Sequence, residues 1–205
     1  MNIQETLLSV IRGRRSIRRY LEKPLPTEML ENLIEAASWA PSAGNRQDWF
    51  FTVVTSKETI GEMAKAVSQR WDEIIKANAG RGFIDEVARY AKSFSDFAGA
   101  PAVIVISSRK VDSVQEHMLG EDAGAVSGGA ASAAMAAQNL MLAAHAAGLG
   151  TCCMTGPVAA RERIGRIIGL PRRQEIVCMV AIGFPAENPS APSRKQTPEI
   201  ARFVV

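Results

Sequence analysis

Histidine is almost absent: His117 and His145 are the only two in 205 residues. That excludes a histidine-rich metal site. A Ser-His-Asp hydrolase is not expected either, because no Gly-x-Ser-x-Gly elbow is present. Cysteine is nearly as scarce. Cys152, Cys153 and Cys178 are odd in number and lack metal-ligand spacing, which points to a reducing, cytoplasmic setting and not to a disulfide framework. The adjacent Cys152 and Cys153 read as opposite faces of a buried strand more readily than as a redox centre. No Gly-x-Gly-x-x-Gly fingerprint and no internal repeat is visible. The opening MNIQETLLSV lacks a basic stretch followed by a long apolar run, so no secretory signal is expected. Excess charge is small: Lys+Arg number 24 against 21 Asp+Glu, a net +3 that is too mild for a general nucleic-acid surface.

What is present is enough apolar material, 47%, for one sizeable core. That fits a single domain over residues 1–205, alone or completed by a partner subunit. Ile3, Leu7, Val10 and Ile11 fall on one helical face, with Gly13 as the stop. Thr27 is the expected N-cap of a second helix running through Trp39, which buries Leu30, Leu33, Ile34, Ala37 and Ala40 and ends at Pro41. Phe50–Val54 reads as a strand. Ile60, Met63, Ala64, Val67, Trp71, Ile74 and Ile75 trace an amphipathic helix. Residues 78–98, broken by Gly80 and Gly82 and supplied with Phe83, Tyr90, Phe94 and Phe97, read as a mobile excursion near the active site. Ala102–Ile106 is a buried strand.

Residues 124–148 are rich in alanine and glycine and read as one buried central helix. Ser127, Ser132, Gln138, Asn139 and His145 argue against a membrane span there. Strands at 151–154 and 176–182 flank a short helix at 161–168. From 185 onward, Pro185, Pro189, Pro192 and Pro198 predict an irregular arm. Its apolar end (Ile200, Phe203, Val204, Val205) suits a surface other than water. The order of elements implies helices layered on a sheet, an α+β or α/β domain.

Four segments carry the chemistry. Arg12 and the run Arg14-Arg15-Ser16-Ile17-Arg18-Arg19 place five guanidinium groups within eight residues. Arginine is the side chain best matched to phosphate, since its planar fork donates two parallel bonds and keeps its proton. Taken alone, the run reads more readily as a solvated basic turn, since short basic runs are common. Ala40 to Trp49 (APSAGNRQDW) joins a helix to a strand with small residues that admit a flat ligand and with amides that match an imide edge. Gly148 to Pro157 runs from a helix end through a strand to a tight turn. Ser193-Arg194-Lys195 adds a second basic group in the arm.

In this order and spacing the four segments resemble the nitroreductase family of flavoproteins across essentially the whole chain. The resemblance implies an α+β fold with a central, mostly antiparallel sheet flanked by helices. It also implies an intertwined homodimer whose C-terminal arm, 185–205, is swapped onto the partner, with FMN at the subunit interface. By similarity, Arg14, Arg15, Ser16 and Arg18 hold the phosphate, ribityl chain and pyrimidine side. Pro41, Ser42 and Ala43 come from the other subunit, with Asn45 and Gln47 in the same loop. Met154, Thr155 and Gly156 lie near flavin N5, and Arg194 and Lys195 reach the phosphate. Asp48 departs from the pattern, since many relatives carry proline there. The implied reaction is hydride transfer from NADH or NADPH through FMN to a nitroaromatic, quinone or flavin, without a protein nucleophile or a metal. Two rivals stand beside it. One is a specialised relative such as a reductive dehalogenase, favoured by Thr155 and disfavoured by Phe94 and Phe97 where such enzymes place charge. The other is a non-catalytic basic module that binds nucleic acid through Arg12–Arg19 or binds protein. The resemblance itself implies neither nucleic-acid nor membrane partners.

Overall fold

Asn2 starts the first helix. Its side chain accepts the Glu5 amide at 2.8 Å, and the Glu5 carboxylate accepts the Asn2 amide at 3.0 Å. This capping box opens α1, Ile3–Gly13. The computed structural model describes residues 2–204, so Val205 of the expected apolar end lies outside the described residues. The chain continues through α2 (Thr27–Ser38), β1 (Trp49–Val54), α3 (Lys57–Ala77), α4 (Ile84–Ala91), β2 (Ala102–Arg109), α5 (Ser113–Leu119), α6 (Ala123–Ser127) and α7 (Gly129–Ala146). It ends with β3 (Gly150–Met154), α8 (Arg161–Ile167), β4 (Gln174–Gly183) and a single turn, α9 (Thr197–Ile200).

The strands form one sheet in the order β1-β2-β4-β3, each neighbour antiparallel to the next. The architecture is therefore α+β with an antiparallel sheet between helical layers, as the sequence implies. β2 is central and buried from Ala102 to Ser108, which its unbroken run of β-branched and small residues suits. One face of the sheet (Ile104, Ile106, Val180, Ile182) packs against Leu30 and Leu33 of α2 and Ala133, Ala137 and Leu140 of α7. The other face (Val103, Val105, Met179, Ala181) packs against Ile60, Met63 and Val67 of α3, Ile164 of α8, and Phe97. Two-residue alternation divides the strand side chains between these layers. It slips once, where Ile106 pairs with Cys178 but Ser107 pairs with Ile176, leaving Val177 as a bulge in β4.

Several expectations need correction. Thr27 is not the N-cap of α2: that position is Pro26, and Thr27 is the first helical residue, with no side-chain cap. The helix ends at Ser38, so Trp39 stands outside it and is 80% exposed. The central helix expected at 124–148 is two helices. Gly128 adopts φ +66 between α6 and α7, a left-handed residue that terminates one helix and redirects the chain. A Cβ on Gly128 would stand 2.9 Å from the Ala43 Cβ, so the break also lets the 41–48 loop approach. The arm does hold one regular turn, α9, closed by a Gln196/Glu199 capping box with Pro198 in its first turn, where the missing N–H costs nothing. Residues 78–98 contain α4 and run into a 3₁₀ stretch, Lys92–Gly99, in which Phe97 is 2% exposed and belongs to the core. Among the described residues, no helix is long and apolar enough to cross a membrane.

Candidate functional site

The arginine segment leaves α1 and runs along the outer edge of β3. The Ile17 amide donates to Thr151 O at 2.9 Å, and Ser16 bridges Thr151 in parallel. Gly150 makes this possible, because a Cβ there would fall 2.7 Å from Ile17. Glu187 fixes the following turn from the other side, accepting the Arg18 amide at 2.6 Å and the Arg19 amide at 3.2 Å. The half-buried Tyr20 hydroxyl donates to Ile17 O at 2.5 Å, with Ala181 O at 3.2 Å. Burial raises its pKa, so it stays protonated and acts as a brace.

The arginines are not equivalent. Arg15 Nη1 donates to the carbonyls of Arg12 (2.6 Å), Gly13 (3.2 Å) and Arg14 (2.9 Å), satisfying the carbonyls that the end of α1 leaves open. Half of the Arg15 fork is thus structural. Arg14 and Arg18 make no ion pair with any carboxylate among the described residues. Two half-exposed or exposed guanidinium groups without counter-charges, next to a serine hydroxyl, form a donor set that fits an anion. His145, in the last turn of α7, joins this neighbourhood. A Cβ on Gly13 would lie 2.6 Å from its Nε2. Partial burial and then the charges of Arg14 and Arg15 hold its pKa below the usual histidine range. Nothing in the spacing of His145 along the sequence marks it as a neighbour of these arginines; the fold alone brings them together.

β3 carries the chain from this edge directly to Met154, Thr155 and Gly156. They rim a cavity of about 140 Å³ together with Arg18, Tyr90 and Phe94. The Phe94 ring lies against the Gly156 Cα where a side chain would otherwise stand, and Trp71 Nε1 donates to Gly156 O at 2.9 Å. The Trp71 and Phe94 rings are 4.8 Å apart, and Tyr90 meets Phe94 edge-on at 5.3 Å. The Gly156 turn is therefore set by aromatics from α3 and from residues 78–98, which sequence spacing could not connect to it.

The 41–48 loop stands elsewhere. Gly44, Asn45 and Gln47 are all left-handed, with φ +59, +52 and +52. For Gln47 this conformation costs about 1–3 kcal/mol, strain of the kind that surrounding structure retains at binding sites. The loop is tied down on all sides. Ser42 Oγ accepts the Gln47 amide at 3.0 Å, and the Ala43 amide donates to Ser132 Oγ at 3.2 Å. Arg46 bonds Asp48 at 2.8 Å through Nε and donates to Ser127 O through Nη2. Asp48, whose departure from the family pattern left the loop shape open, is thus the anchor for Arg46, and its own carbonyl accepts the Arg109 amide at 2.9 Å.

The loop enters β1, while the arginines flank β3. These are opposite edges of the sheet, three strand intervals apart, or about 14 Å at ~4.8 Å each. Arg14, Arg15, Ser16, Arg18, Met154, Thr155 and Gly156 gather at one edge, and Pro41, Ser42, Ala43, Asn45 and Gln47 at the other. Arg194 and Lys195 join neither group. Every residue from Asn188 to Val204 is exposed, and among the described residues Arg194 reaches only the Ser193 carbonyl.

Comparison with known proteins gives this geometry a context. The Nitroreductase family model matches residues 11–184, from the end of α1 past the end of β4. A protein of Thermus thermophilus described as NADH dehydrogenase is 30% identical over 188 residues, covering 85% of this chain and 84% of that one. A BluB-like flavoprotein of Clostridium difficile has the same fold, with a TM-score of 0.83 at 22% identity and full coverage of both chains. Iodotyrosine deiodinase, solved with FMN and 3-iodo-L-tyrosine, superposes with a TM-score of 0.77 at 20% identity, covering 97% of this chain and 99% of that one. The match runs through the arginine segment, the loop and the β3 turn alike, and on it the chain belongs to the nitroreductase family.

Proposed function

We propose that this protein is an FMN-dependent oxidoreductase that oxidises NADH or NADPH and reduces a nitroaromatic, quinone or flavin, working as a homodimer in the cytoplasm. The observation that carries the reading is the β3 edge: Arg14 and Arg18 guanidinium groups, without an ion pair among the described residues, beside Ser16 and hydrogen-bonded through the backbone onto the strand that ends in the small, aromatic-backed turn Met154–Gly156. A phosphate dianion leaves water without large cost only where several charged donors meet it. This donor set suits one.

In this reading Arg14, the free part of Arg15 and Ser16 hold the phosphate, with Arg194 and Lys195 of the arm closing over it. Arg18 stands at the pyrimidine edge. The Met154–Gly156 backbone faces N5, while Pro41, Ser42, Ala43, Asn45 and Gln47 reach the same flavin from the partner subunit. FMN, when bound, supplies the two-electron exchange between nicotinamide and acceptor. The chain's own part is to bind, to orient, and to set charge beside the ring.

The dimer is supported by three features. The site residues divide between opposite sheet edges. The 140 Å³ cavity falls below the ~300–1,000 Å³ of ordinary ligand sites. Apolar side chains also stand uncovered on α1 (Ile3 90%, Leu7 54%, Ile11 43% exposed) and on the arm (Ile200 68%, Phe203 79%, Val204 85%).

The test is direct. Purified protein is expected to be yellow, and acid-released cofactor to run as FMN at one per chain. Stoichiometric FAD, or a colourless protein that binds nucleic acid, would reject the assignment. Kinetics with both nicotinamides across a panel of acceptors then identify the donor and the acceptor class.

A second reading, a reductive dehalogenase, draws on Thr155. Its side chain is exposed at the cavity rim, and its hydroxyl has no protein partner among the described residues, so it is free to bond a ring nitrogen. Dehalogenation of halotyrosines faster than reduction of nitroaromatics would favour it. Phe97, although packed into the core, also lines this cavity with Phe94, which puts aromatic side chains where a dehalogenase would place charge.

A further inference from the structure

β3 and β4 bring together two of the three cysteines. Cys153 pairs with Val180 across the ladder, and Cys178 lies two residues along β4, on the same face. The two side chains are near enough for each to shift the ionisation of the other. Cys153 is exposed, whereas Cys178 is buried beneath it at 4% exposure. Cys152 points to the opposite face and is likewise buried.

Diagonal neighbours on antiparallel strands have Cα atoms roughly 7–8 Å apart, at or just beyond the span of a disulfide, ~4.4–6.8 Å. Closure therefore needs a small backbone shift, and this part of the sheet has slack on both sides. Beyond the arginine segment's contact at Thr151, β3 is an edge strand. β4 carries its bulge at Val177, next to Cys178. A bond closed under such tension is easily reduced, as labile and regulatory disulfides are.

The chemistry of the two sulfurs is also divided. The neighbouring Cys178 thiol favours the Cys153 thiolate, burial opposes it, and Arg14 then favours it further, leaving the Cys153 thiol lowered to about 7. The Cys153 sulfur beside it and burial push Cys178 upward, so it keeps its proton. One exposed sulfur is ready to attack and one buried sulfur is ready to resolve.

We propose that Cys153 and Cys178 form a peroxide-reactive dithiol that closes to a reversible disulfide beside the Met154–Gly156 turn. In the first step the Cys153 thiolate attacks a peroxide oxygen. The S–O bond forms, the O–O bond breaks, and hydroxide leaves as water on taking a proton. In the second step Cys178 loses its proton and attacks the Cys153 sulfenic sulfur. The S–S bond forms, the S–O bond breaks, and a second water leaves. Two thiols give up two electrons and two protons, and one hydrogen peroxide becomes two waters. Because Met154 follows Cys153 directly, closure draws the end of β3 toward β4 and moves the turn that rims the cavity. The pairing needs neither the flavin nor the nicotinamide, so it stands or falls apart from the proposed function.

The test uses the purified, reduced protein, without nicotinamide, exposed to stoichiometric hydrogen peroxide, alkylated and mapped by mass spectrometry. The expected product is a Cys153–Cys178 linked peptide lighter by two hydrogens, with Cys152 alkylated and the link lost on treatment with dithiothreitol. Cys178→Ser should instead stop at a Cys153 sulfenic acid that dimedone captures. Cys153 left unmodified in the wild-type protein would overturn the proposal. So would a sulfinic acid or dimedone adduct at wild-type Cys153 with Cys178 still a free thiol, or a link formed through Cys152.

Discussion

Arg14→Ala is expected to raise the FMN dissociation constant roughly ten- to a hundredfold, with activity restored by added FMN. Removing one charged hydrogen-bond partner costs about 1.5–3 kcal/mol, and each 1.4 kcal/mol is about tenfold in affinity. The structure sharpens this choice of residue. Arg15→Ala would mix two effects, since its Nη1 also holds three carbonyls at the end of α1. Arg14 makes no such bonds. Arg18 answers to a different measurement. Its backbone is fixed by Glu187 while its guanidinium carries no ion pair among the described residues, so Arg18→Met removes charge and leaves the turn in place. Reduction develops negative charge at the pyrimidine edge, and without the cation the flavin midpoint potential should fall at saturating FMN, by about 30 mV for each 1.4 kcal/mol lost. Equilibrium binding and potentiometric titration of both variants separate the roles. A shift of potential in Arg14→Ala, with none in Arg18→Met, would reverse the assignment.

The double substitution Leu7→Asp, Ile11→Asp is expected to give a folded monomer that no longer retains FMN, although every arginine is intact. Both side chains are on the exposed apolar face of α1, and neither touches the cores on the two sides of the sheet. Each large apolar side chain is worth about 1.5–3 kcal/mol on burial, and two carboxylates in an apolar interface add their desolvation cost. Sedimentation reads the association state, far-UV circular dichroism the fold, and absorbance at the flavin band the occupancy. A fully loaded monomer would show that one chain makes the whole site.

The fold was readable wherever burial imposes a period. α3 is marked by its apolar spacing, and β2 by a run of β-branched residues that only a central strand accommodates. The break at Gly128 was not readable, because glycine among alanines is equally a helix interior of small residues. Only the approach of Ala43 shows why the turn is there. Pro26 replaced Thr27 as the cap because a proline-fixed φ already presents the chain to the helix. At the site, the arginine run announced an anion, since charge density is a property of sequence. Arg15's engagement with the end of α1 depends on the turn that follows, and the Arg46–Asp48 pair on three left-handed residues around it. Neither leaves a mark that residue types alone reveal. The separation of loop and arginines was hidden for a stronger reason: it follows from strand order, and nothing within either segment encodes β1 and β3 as opposite edges.

That separation has a genetic consequence. If each flavin is held by the arginines of one chain and the loop of the other, a subunit crippled at Arg14 and a subunit crippled at Ser42 complement each other. In a mixed pair, one flavin meets both defects and the other meets none. Random reassortment of two inactive preparations would make half of the pairs mixed, each with one sound site of two, and about a quarter of full activity would return from two proteins that have none. Sites confined to one polypeptide cannot be repaired by partnership; a site strung between the two edges of a sheet can be.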